Sequence, residues 1–322
     1  MERRYTRQDL IAEAQAAGYT ISGRLITDWV QLGLLDQPER HGLGRENGSV
    51  AYWPERQRHL LITLLAKRQE GAHVGPLCNT PVWLWLWFGD AYAPQRQVRR
   101  ALRTWGEFQG IPRRGASWTR ARHAASEFIR QVGHPKAKAK DRKALQEGLA
   151  QMFSQGRFDG DRLLPLVRRV FDPRGTGVPR GPIGGQLSPE DLVSLFEGRY
   201  RVLQNVETLS DSLFEWARFF YLSSLQSYLK DRPSLATDPD FGKLFTAPEL
   251  SEIINGACLS VVSTLGLALV MPSDWPVGAL ENPQTWTAHR LQGRITRTAF
   301  AGQGQVHISG VILAPKENAP NP

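Results

Sequence analysis

A chain of 322 residues, 41% hydrophobic and 22% charged, is long enough for two or three domains with real cores and has the composition of a soluble globular protein. Two cysteines, Cys78 and Cys258, exclude a disulfide framework and fit no metal-ligand spacing, and the start MERRYTRQDL has no apolar core for a secretory signal. A net charge of +9 favours an acidic partner, nucleic acid first.

The charge is unevenly placed. Residues 1–71 carry ten Lys/Arg against nine Asp/Glu, whereas residues 91–143 carry fourteen against three.

In chain order, Thr6 and Asp9 form a capping-box-like helix start, followed by Leu10, Ile11 and Ala14 on one face and a stop at Ala17-Gly18. Ser22 is placed to cap a second helix with Leu25, Ile26 and Trp29 inward and Arg24, Thr27, Asp28 and Gln31 outward; Gly33 ends it. Asn47-Gly48 is a hairpin-turn signal, with Ser49–Trp53 returning as a strand. Pro54 then opens a third helix with a Leu60, Leu61, Leu64, Leu65 stripe. Two short helices, a hairpin and a longer helix make a winged helix-turn-helix, whose second helix fits the DNA major groove.

At these residues the chain resembles the DNA-binding head of the MerR family of transcription regulators. The resemblance rests on Tyr5-Thr6, Ser22, Leu32-Gly33-Leu34-Leu35, Pro38 with Arg40, Gly48 with Tyr52, Arg58–Ile62 and Arg68–Gly71, about the first fifth of the chain. It implies duplex-DNA binding, for which the candidate contacts are Thr6, Ser22, Thr27, Asp28, Gln31, Asn47 and Tyr52, with Arg24, Arg40, His41 and Arg45 as substitutes for family arginines absent from their usual positions. Two family features are replaced: Thr27-Asp28-Trp29 stands where the recognition helix usually has Arg-Tyr-Tyr, and Gly48-Ser49-Val50-Ala51-Tyr52 stands where the wing has Gly-Tyr-Arg-x-Tyr. The family's sequence preference and promoter twisting are therefore not carried over. Excisionases and nucleoid-anchoring proteins use similar heads.

Behind the head, Gly75-Pro76 reads as a hinge. The Trp83, Trp85, Trp87 alternation in Pro81–Phe88 suggests a strand, apolar on both faces and so buried in this chain or against a second copy. Val98, Ala101, Leu102 and Trp105 set a helix with Arg96, Arg99, Arg100 and Arg103 mostly outward, which makes these arginines candidate phosphate contacts. A further helix is set by Trp118, Ala121, Ala125 and Phe128, and amphipathic helix continues over 145–171 with a break near 156–160. Residues 171–186 read as a Pro/Gly linker; Gly175 and Gly177 have neither the strand before them nor the Gly-Lys-Ser/Thr of a nucleotide loop. Ser188-Pro189-Glu190-Asp191 starts a helix, a long one runs over about 209–229, and another starts at Thr246. Polar residues within 253–271 make that stretch a buried core helix rather than a membrane span. Residues 286–313 fit a terminal β-hairpin, and 318–322 a disordered tail.

The expected organisation is thus mainly α: a winged helix-turn-helix (1–74), a basic Trp-rich helical domain (75–172), a linker (173–187), a helical dimerisation or effector domain (188–316) and a tail (317–322). No nucleophile elbow, phosphate loop, dinucleotide fingerprint or His/Cys cluster appears, so no catalytic residue, metal or cofactor is expected. The acids Asp211, Glu215, Asp238 and Asp240 read as surface residues. The leading expectation is a cytoplasmic, nucleoid-associated homodimeric transcription regulator that binds specific double-stranded DNA, with a protein partner accommodated by the C-terminal helices and no membrane. The alternatives are a plasmid, phage or nucleoid maintenance, partition or excision protein, and a helical interaction module without DNA binding.

Overall fold

The computed structural model describes residues 3–42, 49–109, 117–175, 178–179, 186–237, 239 and 254–270. They are mainly helical, with one small three-stranded antiparallel sheet and one short two-stranded pair.

The described residues among the first 71 follow the helix, helix, hairpin, helix order read from the sequence, with a short strand added before the first helix. Strand β1 (Arg4–Tyr5) precedes α1 (Arg7–Ala16), and α2 (Gly23–Gln31) follows a short turn. Strands β2 (Glu39–Gly42) and β3 (Ser49–Pro54) come next, then α3 (Glu55–Gln69). The sheet order is β1-β3-β2, so the return strand of the hairpin is central. The capping box at Thr6 is formed on both sides: the Asp9 N–H donates to the Thr6 hydroxyl at 3.2 Å and the Thr6 N–H donates to the Asp9 carboxylate at 2.8 Å. Those donors, the backbone N–H first and the hydroxyl second, hold the Asp9 carboxyl below its ordinary pKa.

The stretch 79–88 differs from its expected strand. It is helix α5 (Asn79–Phe88), preceded by a helical turn, α4 (Val74–Leu77), where a hinge was expected. Gly75 in that turn lies against the Phe108 ring and is buried. A segment apolar on every side carries no usable period, and burial all round suits a central helix as well as a strand. Val82, Trp83, Trp85 and Leu86 are buried in it. Its C-terminal carbonyls are closed by Arg218, whose Nε donates to Trp85 O and Leu86 O at 3.0 and 2.8 Å.

The remaining helices are α6 (Gln95–Phe108), α7 (Trp118–Val132), α8 (Ala139–Gln155), α9 (Gly160–Phe171), α10 (Pro189–Asn205), α11 (Asp211–Leu235) and α12 (Ala257–Val270). The short strands β4 (Val178–Pro179) and β5 (Gln186–Leu187) pair antiparallel within the Pro/Gly stretch. One hydrophobic core contains the buried residues of the first 71 positions together with α4–α6, the end of α10, α11 and α12. A second joins α7, α8, α9 and the start of α10. Helix α10 therefore belongs to both: Leu192, Val193 and Phe196 sit in the second core, Val202 and Leu203 in the first. It begins with a full capping box from Ser188 and Asp191, and it crosses α12 closely enough that a Cβ on Gly198 would meet the Gly266 carbonyl. Among the described residues no helix is long and apolar enough to cross a membrane. The expected hairpin over 286–313, the tail, and the first turns of the helix expected from Thr246 lie outside the described residues.

Two glycines separate conformation from packing. Gly18 ends α1 at φ 88° with open space around it, whereas Gly33 ends α2 at φ 74° with its α-carbon pressed on α6, where a Cβ would lie 2.7 Å from Arg100 Cβ. Gly18→Ala should cost about 1 kcal/mol, the left-handed penalty alone. Gly33→Ala should cost about 3 kcal/mol or more, because α6 must also move. Urea denaturation of both variants checks the order; equal losses would show that Gly33 is not a packing contact.

Candidate nucleic-acid interface

Helix α2 has one free end and one anchored end. At its N-terminus Ser22 accepts the Leu25 N–H at 3.3 Å, so its hydroxyl serves the helix as a cap, as Thr6 does for α1. Ile26 and Trp29 are buried and fix which face looks outward. On that face the Arg24 side chain is 90% exposed and only loosely paired with Asp28, at 3.9 Å. Thr27 donates back to Gly23 O at 3.1 Å, and Gln31 is exposed. Arg7, the first residue of α1, packs beside the start of α2: a Cβ on Gly23 would lie 3.2 Å from Arg7 Cδ. Arg7 is not among the candidate contacts read from the sequence. The short turn between α1 and α2 brings the two helix starts together.

The hairpin places Arg40 and His41 on β2, opposite Ala51 and Val50. Arg40 is exposed, and among the described residues it is in no ion pair. His41 is held within the hairpin instead: its Nε2 is 3.6 Å from the Glu39 carboxylate and its ring centroid 5.9 Å from that of Tyr52. Arg45 and Asn47 lie outside the described residues.

The C-terminal end of α2 is bolted to α6. Thr104 Oγ1 donates to Leu32 O at 3.0 Å, Gln97 Nε2 to Leu34 O at 3.0 Å, and Arg103 to Gln31 O at 3.3 Å. Helix α6 thus satisfies the carbonyls that a helix end leaves without partners. Just beyond, Asp36 is buried, with its side chain 6% exposed. Arg96 takes it bidentately, with Nε 3.0 Å from Oδ1 and Nη2 2.6 Å from Oδ2, and Arg100 adds a third contact at 3.1 Å. Around this charge Trp53 Nε1 donates to Asp36 O, the Asp36 N–H donates to Gln57, and Gln57 donates to Gln97.

The four α6 arginines, expected mostly outward, are therefore spent largely inside the protein. Arg96 and Arg100 hold Asp36; Arg99 donates to Val206 O at 2.9 Å, pairs with Asp211 at 2.6 Å and lies over the Phe214 ring; Arg103 pairs with Glu207. The carboxylate bonded to Arg96 raises its pKa, while burial lowers that of Arg100 against the opposing pull of Asp36. Their i, i+3, i+4, i+7 spacing does put them on neighbouring faces of one helix. Their acceptors come from the end of α2 and from the α10–α11 turn, which no local reading of α6 supplies. Of the four, Arg96 keeps the most exposed side chain.

Comparison of the chain with protein-family models, with curated proteins and with solved structures finds no match.

The asymmetry around Asp36 is measurable. Removing a partner from a buried pair strands the remaining charge and costs about 3–5 kcal/mol. Asp36→Ala, which strands the buried Arg100, should reach that range; Arg96→Ala should cost markedly less, because Arg100 still answers Asp36 and the lost group was half in water. Equal, small losses on chemical denaturation would contradict this ranking.

Proposed function

We propose that residues 3–71 are a winged helix-turn-helix that binds duplex DNA, as in the MerR-type heads the sequence resembles, and that the protein is a sequence-specific regulator of transcription. In this reading α2 enters the major groove and the β2–β3 hairpin lies on the flanking backbone. The observation that carries it is the state of α2. Its outward face offers Arg24, Thr27, Asp28 and Gln31 with only weak internal commitments, while its far end is held rigidly by α6. A base-reading helix needs that combination, because a backbone already fixed leaves only the side chains to be ordered on binding.

The commitment of the α6 arginines reassigns the phosphate contacts. Arg7 beside the start of α2 and Arg40 on the hairpin flank the reading face, and both are exposed without an ion-pair partner among the described residues. The start of α2 adds its own favourable field for a phosphate. The helices behind the head dimerise the protein or receive a signal, and α6 is the element through which such a signal reaches α2.

Fluorescence anisotropy with fragments of the genomic DNA at low salt tests the reading. Arg7→Ala/Arg40→Ala should weaken binding on every fragment alike and reduce the slope of log K against log salt by about 2. Arg24→Ala/Thr27→Ala should instead abolish the difference between strongly and weakly bound fragments while leaving thermal stability unchanged. Absence of any duplex binding by the wild-type protein at low salt would refute the proposal.

A further inference from the structure

The second core carries a surface of a different kind. Residues 117–175 hold thirteen Lys/Arg against six Asp/Glu, so most of the chain's excess charge sits on α7–α9 and the turns between them. Between these helices runs a cleft of about 460 Å³, lined by Trp118, Arg122, Lys143, Glu147, Arg162 and neighbouring aliphatic groups. That volume falls in the ~300–1,000 Å³ range of ligand clefts.

Two observations set the cleft apart. Trp118, the first residue of α7, is 50% exposed, while Trp29, Trp53, Trp83, Trp85, Trp105 and Trp216 are all buried. An indole half exposed in the lining of a cleft leaves apolar surface open to a ligand. The second is that Arg122, Lys143 and Arg162 are exposed and in no ion pair among the described residues. Several other arginines of the fold do have carboxylates: Arg168 has Glu190, Arg169 has Asp141, Arg201 has Glu197, and the α6 set has Asp36, Asp211 and Glu207. Glu147 is the one acid of the lining, against three cations.

We propose that this cleft binds an unpaired nucleic-acid strand, with one base stacked on Trp118 and the adjoining phosphates held by Arg122, Lys143 and Arg162. A flat π-face beside unpaired cations is the chemistry that single strands use, since every base has a face to stack and every linkage a charge. A duplex would leave the indole idle, because its bases already stack on each other. An acidic peptide would use the cations but has no ring for Trp118. The site is separate from α2 and does not rest on the duplex reading of the head.

The experiment uses the full-length protein and a fluorescein-labelled, non-self-complementary 20-nucleotide DNA single strand, read by anisotropy at 50 mM salt. Wild type should bind; Trp118→Ala should weaken binding about tenfold, and Trp118→Phe should restore most of it. Arg122→Ala/Arg162→Ala should also weaken binding and reduce the salt slope by about 1.4, at 0.7 per phosphate. Because Trp118 is exposed, unchanged melting of the Trp118→Ala variant is expected and shows that the fold is intact. No strand binding by wild type, an unaffected Trp118→Ala variant, or displacement of the strand by polyglutamate at equal charge concentration would each overturn the proposal. Duplex probes run in parallel keep the two assignments apart: a head that fails to bind duplex while strand binding persists sinks the reading of α2 and leaves this one intact.

Discussion

The buried carboxylate of Asp36 is the constraint on which the N-terminal part of the structure depends. It sits just past the end of α2, out of water, and cannot remain charged there without partners. Arg96 and Arg100 supply them from α6, and the surrounding hydrogen bonds from Trp53, Gln57 and Gln97 bring in β3, α3 and α6 at the same point. With Gly33 seated directly on α6, little lateral freedom remains for α2. The pair does not need to be strongly stabilising to matter. Its effect is to make one arrangement of α2 against α6 far better than its neighbours, because any slip would expose a buried charge without a partner.

This arrangement divides the basic residues into two populations. The arginines of α6 are structural groups that close helix ends and pair with buried or nearby carboxylates. Those of α7–α9 include cations with no such duty, gathered around an exposed indole. The net charge of the chain is thus a poor guide to where an anion binds; what distinguishes the populations is whether the fold provides an internal acceptor. The nearly neutral head, on the proposed reading, grips phosphate with few charges and owes its precision to how firmly α2 is held.

The sequence disclosed whatever was decided locally. The caps at Thr6, Ser22 and Ser188 could be read because a hydroxyl and the N–H it serves lie three residues apart. The burial of Ile26 and Trp29 followed from helical spacing, and the strand from Ser49 from the turn signal before it. Helix α5 was not legible as a helix, because the alternation of tryptophan with leucine over 83–87 mimics a two-residue period while large apolar side chains at every one of those positions hide the 3.6-residue one. The partners of the α6 arginines were not legible either, since Asp36 is sixty residues before Arg96 and Asp211 more than a hundred after Arg99. Of the candidate site, the outward face of α2 was readable from its periodicity, whereas the neighbourhood of Arg7 and Gly23 needed the angle between α1 and α2. The cleft at Trp118 depends on how three helices of the second core meet, which no single-segment pattern encodes.

The central claim is that α2 and α6 act as one rigid unit joined through Asp36. Native-state hydrogen exchange on the full-length protein tests it most directly, by following the amides of α2, α3 and α6 through increasing denaturant. If they are one unit, the most protected amides of all three helices open together, with one shared free energy and one denaturant dependence. Exchange of α2 and α3 through a separate, lower-energy opening while α6 stays protected would contradict it.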